Sequence, residues 1–571
     1  MATPNITSLE DLDKFLEAKI LDKKIQTYED FINLIENYNT SDLETGVNLL
    51  YENIINNKKI KLIHDSDADG LGTATLSYRF FKDFIPYGVK IDITDRKQGY
   101  GFLPSHVDGY DLYITADNGI TSFDACVEVH KQGSKVIITD HHQPEKIDGE
   151  YKLPEADALI DPYKPGDPFE FKDISGTVVY FIFLYKLLKK FKLDNKLNEW
   201  YQKAIDLLAI TTLSDVMPLN ISINRFLVKD FIDNHFENSW AQYLKLFKNI
   251  NSDPVASDFS FTLIPALNAT QRMASPIHGF NYLIQEKPEE AQKWMDYLFS
   301  LNENRKKVQQ ELLDYIERYY KDWIKDKKFI LIPGKFKKEY DGVLGIIAGR
   351  LAEKYKRPCI VCNIKSDGNY AGSGRTTGEI NILNILREIR EENPEIITHL
   401  GGHFGALGVG FKPEHLEILF LKLQEKANEI PDDKFVSKMK ADFYININQV
   451  QIWDLDIYNH LMKWEPFGHK FKKPLFKTRC YIKSNRIIGK SKNHMTLQLT
   501  DDKGIPDIKA LWFFHDSSKE QELVNCINQK KPVEIIWQPE IDEYKNQKKL
   551  SIRVLDVQFI QNSSEKTEDK S

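Results

Sequence analysis

Short apolar runs alternate with longer amphipathic stretches through the first half of the chain. Behind an amphipathic helical segment at residues 1–57, strand-like and helix-like patterns take turns. This alternation is typical of a parallel α/β sheet. We therefore predict an α/β domain over residues 58–285. Its clearest strand signals are KIKLI at 59–63, VKIDIT at 89–94, DLYIT at 111–115 and KVIIT at 135–139.

The pattern changes three times after this domain. Residues 286–326 keep a helical period without a glycine, which predicts a long connecting helix. Strand and helix signals alternate again over 327–430 and predict a second α/β domain. Residues 436–560 are rich in alternating strand patterns, which favours a small β-barrel of the OB type. The polar segment 561–571 is expected to be disordered.

Composition narrows the class of protein only slightly. The 571 residues are 42% hydrophobic and 28% charged, and the net charge is −7. The sequence contains neither an apolar run of about 18 residues, the length that crosses a bilayer, nor a signal-peptide pattern, so we expect a cytoplasmic protein. Among the five cysteines, Cys359 and Cys362 form a CxxC, but they lie in a strand-like apolar run, which favours packing over zinc binding.

Acidic and histidine residues follow the predicted strands at the points where they end. In open α/β sheets, functional groups gather at the carboxyl ends of the strands. We expect His64, which directly follows a strand, to have a structural role or to support a ligand instead. The polar residues concerned are Asp65, Asp67, Asp69, Asp117, Asp140, His141 and His142, together with Asp215 at the end of a later helical run.

This set of side chains suits a hard divalent cation. Carboxylate and imidazole ligands favour Mn²⁺ or Mg²⁺ over zinc, which prefers sulfur-rich or histidine-rich sites. Three acids in DSDAD at 65–69 would repel one another unless a cation neutralised them. One DxDxDG sequence alone is also compatible with a turn or a calcium loop. The four segments together predict a two-metal phosphodiesterase site.

The same segments resemble a known family. DSDADG, ADNG, DHH and SD are similar to the four motifs of the DHH phosphoesterases, and Asp140-His141-His142 matches the triplet that names them. Over about residues 55–560, further segments resemble the RecJ-type exonucleases within that family, in the same order. They are DRKQGYG, ISGTVVYF, LNATQRM, YDGVLGIIAGRLAEKYKRPCIV, GSGR, GGH and EPFGHKFKKPLF.

The resemblance implies a 5′→3′ exonuclease of single-stranded DNA that acts in repair and recombination. It also implies that the second α/β domain is of the DHHA1 type. Asp65 would be a further ligand or would orient one, His142 would lie against the scissile phosphate, and Asp140 would fix a histidine ring. Two Mn²⁺ ions, with Mg²⁺ as the alternative, would be held by Asp67, Asp69, Asp117, His141 and Asp215.

Substrate contacts also follow from the resemblance. The sequence departs from the family pattern at Gln98, at Gln271, which replaces a glycine, and at Tyr340. Ser175-Gly176-Thr177 also replaces Gly-Ala-Gly, but none of these changes removes an implied metal ligand, so a divergent member is indicated. The implied substrate-binding residues are Arg96, Arg272, Arg350, Ser373, Gly374, Arg375, Gly402 and His403.

One segment of the predicted barrel is strongly basic. Residues 463–492 carry ten basic residues against one acid, and aromatic residues are interleaved among them. This combination is typical of OB surfaces that hold single strands by phosphate contact and base stacking. A solvated face with aromatic residues in the core is the other interpretation. The predicted contacts are Lys470, Lys472, Lys473, Lys477, Arg479 and Lys490.

Two other functions remain compatible with the sequence. A DHH phosphodiesterase could act on short oligonucleotides or cyclic dinucleotides, although such substrates need no strand-holding barrel. A non-catalytic replication scaffold would be expected to lack metal ligands, and none is missing here. With the main interpretation we expect a monomer that binds single-stranded DNA and cooperates with a helicase and a single-strand-binding protein.

Overall fold

The structure is a computed structural model, and its described residues fall into two compact units. One unit comprises residues 27–217 and 226–437, and the other comprises 1–26, 218–225 and 438–571. The described residues are 3–96, 99, 101–147, 150–236, 254–376, 380–403, 405–435, 439–489, 494–513, 515, 517–544 and 547–560.

Three helices precede the first sheet. Ser8 and Thr27 cap the first two through reciprocal hydrogen bonds with Asp11 and Asp30, and Thr40 caps the third. Side-chain caps of this kind satisfy amide groups that have no partner within the helix. The helices are α1 (Leu9–Lys19), α2 (Tyr28–Asn37) and α3 (Ser41–Ile55).

The first sheet is parallel and has the order β2-β1-β3-β4-β7. Its central strands β1 and β3 are buried along their whole length, as expected for strands covered on both faces. The strands are β1 (Ile60–His64), β2 (Val89–Ile93), β3 (Leu112–Ala116), β4 (Lys135–Thr139) and β7 (Ala158–Ile160), with a small hairpin of β5 (Lys146–Ile147) and β6 (Glu150–Tyr151). Its helices are α4 (Ala68–Asp83), α5 (Phe123–Lys131), α6 (Gly176–Lys190) and α7 (Leu197–Ser214).

Helices then lead from the first sheet to the second. A long helix starts at a proline in its first turn, where the missing amide proton costs nothing. It lies within the predicted connecting segment. The helices are α8 (Ser222–Asp230), α9 (Ile264–Met273), α10 (Ile277–Leu283), the long α11 (Pro288–Tyr319) and the short α12 (Lys321–Lys325).

The second sheet is mixed and has the order β11-β12-β10-β9-β8. Only β8 and β9 run parallel among its described pairs, and Cys359 and Cys362 are buried in β9 as packing residues. The strands are β8 (Ile330–Gly334), β9 (Cys359–Ile364), β10 (Tyr370–Arg375), β11 (His399–His403) and β12 (Ala406–Phe411), with helices α13 (Leu344–Tyr355), α14 (Ile382–Glu392) and α15 (Leu416–Asn428).

The C-terminal sheet closes on itself. Strands follow the order β14-β15-β16-β18-β17, and β17 pairs back onto β14, so the sheet forms the predicted barrel. The elements are β13 (Phe443–Tyr444), α16 (Ile447–Trp453), α17 (Leu455–Met462), β14 (Phe476–Ile488), β15 (His494–Thr500), β16 (Ile508–Phe513), α18 (Glu520–Asn528), β17 (Val533–Tyr544) and β18 (Gln547–Phe559).

The predicted fold class is confirmed: a parallel sheet, a second α/β sheet and an OB-like barrel occur in that order. Within the part of the chain that the structure describes, no helix is both long and apolar enough to cross a membrane.

Candidate metal centre and substrate cleft

Three neighbouring strands bring the acidic residues to one edge of the first sheet. β1 ends before Asp65, β3 ends before Asp117, and β4 ends before Asp140. Because β1 lies beside both β2 and β3, the chain direction across the sheet reverses there, and ligands bind at such switch points. Asp215, the C-cap residue of α7, is a further acid at this edge.

The loop after β1 carries its acids on a helix N-terminus. Asp67 caps α4 by accepting hydrogen bonds from the amides of Asp69 and Gly70. Asp65 is 2% exposed. Arg96 lies over this loop, with its Nη2 3.3 Å from Asp67 Oδ2 and 3.8 Å from Asp65 Oδ2. Asp65, Asp67 and Asp117 offer oxygen atoms close enough together to share one cation.

A second group of ligands surrounds His141. Its Nε2 lies 3.2 Å from Asp117 Oδ1, 3.4 Å from Asp215 Oδ2 and 3.9 Å from Asp69 Oδ2. Gly176 leaves room for this arrangement, since a Cβ at that position would be 2.5 Å from Asp117 Oδ1. Asp117 therefore borders both groups of ligands.

Asp69 is held by the N-terminus of α6. Its carboxylate accepts hydrogen bonds from the amides of Gly176 at 2.7 Å and Thr177 at 2.9 Å, and from Thr177 Oγ1 at 2.5 Å. The Ser-Gly-Thr sequence that departs from the family pattern thus supplies a hydroxyl donor to Asp69. Negative charge at a helix N-terminus is stabilised by the helix dipole.

Burial and mutual repulsion dominate the electrostatics of the acids. Burial, together with Asp67, raises the pKa of Asp65 to about 6. Burial and Asp215 raise the pKa of Asp69 to about 6, and burial and Asp69 raise the pKa of Asp117 well above its ordinary value. A cation is the group that would make all three ionised forms favourable.

The two histidines are oriented by different acceptors. His141 Nδ1 donates to the carbonyl of Ile174 at 2.7 Å, which directs Nε2 toward the acids. His142 Nδ1 donates to Asp140 Oδ1 at 2.7 Å, and Asp140 also accepts from the amides of Ile120 and His141. Burial alone would lower both histidine pKa values, but neighbouring acids raise that of His141 to about 9 and that of His142 to about 10.

The donor set fits divalent cations. Asp117 Oδ1 and His141 Nε2 are buried, and neither makes a hydrogen bond to any residue that the structure describes. The fixed second nitrogen of His141 is typical of a metal-binding histidine. Asp140 instead has its oxygens engaged by amides and His142, which places it behind the ligands. His64 is buried and bonded to Thr73 Oγ1 at 2.8 Å, in the structural role expected for it.

Arginine side chains gather beside the acids. Burial, with Arg96 and Arg305 nearby, lowers the pKa of Arg272 to about 10. Burial and Arg96 also lower the pKa of Arg375, and burial and Arg350 lower that of Arg305. Clustered cations of this kind lower one another's pKa, and an anion such as phosphate relieves that repulsion.

Arg305 belongs to this arginine cluster, although no sequence motif predicts it. It lies on α11, where its Nε donates to Asn302 Oδ1 at 3.0 Å. One turn further, Gln309 is buried, and its amide oxygen in the corrected orientation accepts from Arg350 Nε at 2.6 Å. The available signal was the spacing of two amide residues, Asn302 and Gln309, on one face of a helix otherwise rich in charge.

The remaining predicted contacts on the second sheet have different surroundings. Ser373 and Arg375 share one face of β10 and approach Gly345, where a Cβ would lie 2.8 Å from Arg375 Nη2. Gly374 faces the opposite way, and a Cβ there would be 2.8 Å from Leu407, so packing explains this glycine. Gly402 has a φ of 134°, which favours glycine. The side chain of His403, together with Gln98 and Lys490, lies outside the described residues.

The first part of the basic segment 463–492 is held by contacts within its own unit. Arg225 donates to the carbonyls of Pro466 at 2.9 Å and Trp464 at 2.6 Å and lies over the Phe471 ring. Phe467, Phe471 and Phe476 are buried, so they cannot serve as stacking platforms.

The predicted basic contacts divide by their surroundings. Lys473 lies 3.3 Å from Glu465 and Lys477 lies 2.5 Å from Glu534, so both are neutralised by acids. Lys470 and Lys472 are exposed, as is Arg479, which lies opposite Glu534 in the sheet.

An exposed aromatic surface lies elsewhere on the barrel. Phe513 is 37% exposed and stands opposite His494, with ring centroids 5.4 Å apart. The Arg553 guanidinium lies 5.9 Å from the Phe513 ring centroid and is paired with Glu540, whose Oε1 is 3.1 Å from Arg553 Nη1. The exposed Arg486 lies on the neighbouring strand β14, opposite Thr496. This surface of β14, β15, β16 and β18, termed the Phe513 face below, combines an exposed aromatic ring with the exposed Arg486.

Comparison with protein-family models gives three matches in chain order. Residues 59–212 match the DHH family N-terminal domain, residues 333–429 match the DHHA1 domain, and residues 441–556 match the RecJ OB domain. The matched segments contain the parallel sheet, the mixed sheet and the barrel respectively.

Individual proteins show the same likeness over most of the chain. The single-stranded-DNA-specific exonuclease RecJ of Haemophilus influenzae is 25% identical over 544 residues, covering 90% of both chains. A crystal structure of RecJ from Thermus thermophilus with Mn²⁺ has a TM-score of 0.73 at 22% identity, covering 91% of this chain and 72% of that chain. A crystal structure of exonuclease RecJ bound to manganese has a TM-score of 0.56 at 26% identity and covers 69% of this chain and 96% of that one.

Proposed function

This chain belongs to the DHH family and to its RecJ type, and on that premise we propose that it is a metal-dependent exonuclease of single-stranded DNA that degrades from the 5′ end. The observation that carries the proposal is a pair of ligand groups at the end of the first sheet, one that contains Asp117 and one that Asp117 borders through its 3.2 Å distance to His141 Nε2. A repair or recombination role follows from degradation of one strand. A helicase that frees that strand and a single-strand-binding protein are partners consistent with it.

The proposed cofactors are two Mn²⁺ ions, with Mg²⁺ as the alternative. Asp65, Asp67 and Asp117 would hold one, and Asp69, His141 and Asp215, with Asp117 between, would hold the other. Ions bound at such a site activate water and neutralise charge that develops on phosphate oxygens. The raised pKa values of Asp65, Asp69 and Asp117 make this site unfavourable without cations, which supports the assignment.

His142 is proposed to hold the scissile phosphate. Its Nδ1 proton bonds to Asp140, and although burial lowers the pKa of the ring, Asp140 raises it to about 10 in the metal-free protein. The cationic ring can donate its Nε2 proton to a phosphate oxygen as negative charge develops there. Asp140 keeps the ring in place because its other contacts are backbone amides.

The arginine cluster is proposed to bind the phosphates on either side of the cleaved bond. Arg272 and Arg375 lie on opposite domains of one compact unit, and each has a pKa lowered by burial and by Arg96. Arg305 and Arg350 extend this surface along α11 and α13. Guanidinium groups suit phosphate because their donors match two oxygens at once.

The barrel supports a long substrate over a small one. The Phe513 face offers a ring for base stacking and the exposed Arg486 for a phosphate, which a mononucleotide or a cyclic dinucleotide does not need. This favours single strands over the short-substrate alternative.

The experiment measures cleavage of 5′- and 3′-labelled single strands and duplexes with and without Mn²⁺. We expect Mn²⁺-dependent release of mononucleotides from the 5′ end of single strands. Asp117→Asn should be inactive, while Asp124→Asn, at an exposed position on α5, is the matched control and should retain activity. Degradation from the 3′ end would overturn the polarity, and cleavage confined to dinucleotides would overturn the substrate.

A further inference from the structure

Gln271 connects α9 to the loop that carries the first metal ligands. Its Oε1 accepts a hydrogen bond from Ser66 Oγ at 3.0 Å. Ser66 is fully buried and stands between Asp65 and Asp67. Any displacement of Ser66 therefore moves two proposed ligands together.

The helix that presents Gln271 is fixed on both sides. Asn268 Oδ1 accepts from the amide of Ala68 at 3.0 Å, at the start of α4. Arg272 Nη1 donates to the carbonyl of Gly342 at 3.0 Å, on the side of the second sheet. Gly342 permits this approach, since a Cβ there would be 2.5 Å from the Arg272 carbonyl oxygen. Gln271 consequently acts from a rigid support and holds Ser66 in one place.

The second half of the Gln271 amide has no counterpart in the fold. The residue is 5% exposed, and its Nε2 makes no hydrogen bond within the described part of the chain. Turning the amide over would let Nε2 donate to Ser66 Oγ but would leave Oε1 without a donor among the described residues. A buried polar atom without a partner destabilises the fold. An apolar side chain of the same length would avoid that penalty, so stability alone does not explain a glutamine here.

We propose that Gln271 is a positioning residue that sets Asp65 and Asp67 for metal binding through its hydrogen bond to Ser66. The proposal deepens the metal-dependent function proposed above and rests on it for the identity of the ligands. Groups that orient metal ligands in this way contribute about 10-fold or more to metal affinity.

The test is Mn²⁺ binding by isothermal titration calorimetry, with the full chain and no DNA. Gln271→Met keeps the length and removes the amide, and Ser66→Ala removes the donor. Each should weaken Mn²⁺ binding about 10-fold, and the double variant should be no weaker than either, because all three lose one shared bond. Thr270→Val is the matched control, since the Thr270 hydroxyl bonds within α9, to the Leu267 carbonyl, and its affinity should stay within twofold.

Two outcomes would overturn the proposal. One is an unchanged Mn²⁺ affinity in both single variants, each shown to be folded by circular dichroism. The other is a double variant about 100-fold weaker, which would mean that the two side chains act independently. Because no DNA is present, a protein that binds Mn²⁺ but fails to cleave single strands would refute the proposed substrate without affecting this measurement.

Discussion

Two residues of the proposed metal site, one a proposed ligand and one next to a proposed ligand, occupy the left-handed region of backbone conformation. Asp117 has a φ of 64° and Val216 a φ of 56°. Val216 follows Asp215 at the end of α7, where Met217 donates back to the carbonyl of Thr212 and Val216 to that of Leu213. This is the usual helix-ending arrangement in which the left-handed position is glycine. A β-branched residue there is strained. Because Val216 is 59% exposed, burial of its side chain contributes little that would offset the strain.

Val216→Gly should therefore stabilise the protein. Relief of the left-handed strain outweighs the extra chain entropy of glycine, so we expect about 0.5–1 kcal/mol. Thermal unfolding of the metal-free protein measures it. Val127→Gly is the control, because Val127 is 44% exposed within α5 and its replacement should destabilise by about 0.5–1 kcal/mol. A loss of stability in Val216→Gly would show that Val216 is not strained.

Asp117→Asn should separate the stability of the site from its function. Asparagine removes an acid whose pKa is raised well above its ordinary value by burial and by Asp69. We expect the metal-free variant to melt about 2–4 °C higher than the wild type. Mn²⁺ at 100 times its Kd should raise the free energy of unfolding of the wild type by about 2.7 kcal/mol. The same Mn²⁺ concentration should leave that of the variant almost unchanged. An equal Mn²⁺ effect in both proteins would exclude Asp117 as a ligand.

Proton competition gives the site a defined pH dependence. The folded-state pKa values of Asp65 and Asp69 are raised to about 6, so their protonated forms stabilise the metal-free fold below about 4, and that stabilisation is lost as the pH rises through 6. His141, raised to about 9, loses its contribution as the pH passes 9. Mn²⁺ affinity should therefore rise from pH 5 to 7 and rise further toward 9. Calorimetry in buffers of different ionisation enthalpy should show fewer protons released at the higher pH.

At the scale of elements, the strand ends of the first sheet could be predicted from sequence because a buried parallel strand reads as an apolar run. Asp65, Asp117 and Asp140 directly follow such runs. The side of α11 that carries Arg305 could not be predicted in the same way. Arg305 lies on a helix with many exposed charges, and only its contact with Asn302 and its proximity to Arg350 distinguish it. Those contacts depend on how the helix packs, which no local pattern encodes.

Arg305→Gln tests the role of α11 in the cleft. Loss of one charged phosphate contact is expected to cost about 1.5 kcal/mol, a roughly tenfold rise in KM for single-stranded DNA with a smaller change in kcat. Lys306→Gln is the matched control, because Lys306 is exposed and pairs with Glu303 on the same helix. Initial rates over a range of oligonucleotide concentrations decide between them. Equal KM values for both variants would remove Arg305 from the substrate cleft.

For the whole molecule, the distribution of charge matters more than its sum. The net charge of −7 speaks against a nucleic-acid protein, and the basic segment 463–492 suggested where the strand binds. The sequence could show that this segment is basic, but it could not show that Arg225 anchors it or that Glu465 and Glu534 neutralise two of its lysines. The Phe513 face could not be predicted in this way because its residues come from strands far apart in sequence. Barrel closure brings them together, which local patterns do not reveal.

Strand binding on the Phe513 face and strand binding along the basic segment 463–492 predict opposite effects of substitution. In an Asp117→Asn background that prevents cleavage, Phe513→Ala should weaken binding of a single-stranded oligonucleotide by about 1 kcal/mol, because base stacking on an aromatic ring is lost. Fluorescence anisotropy at several salt concentrations measures this. The slope of log Kd against log salt should not change, because no phosphate contact is removed. Lys477→Gln should leave Kd within twofold, since Glu534 already neutralises that lysine. If Lys477→Gln weakens binding and flattens the salt slope while Phe513→Ala has no effect, the strand follows the basic segment instead of the Phe513 face.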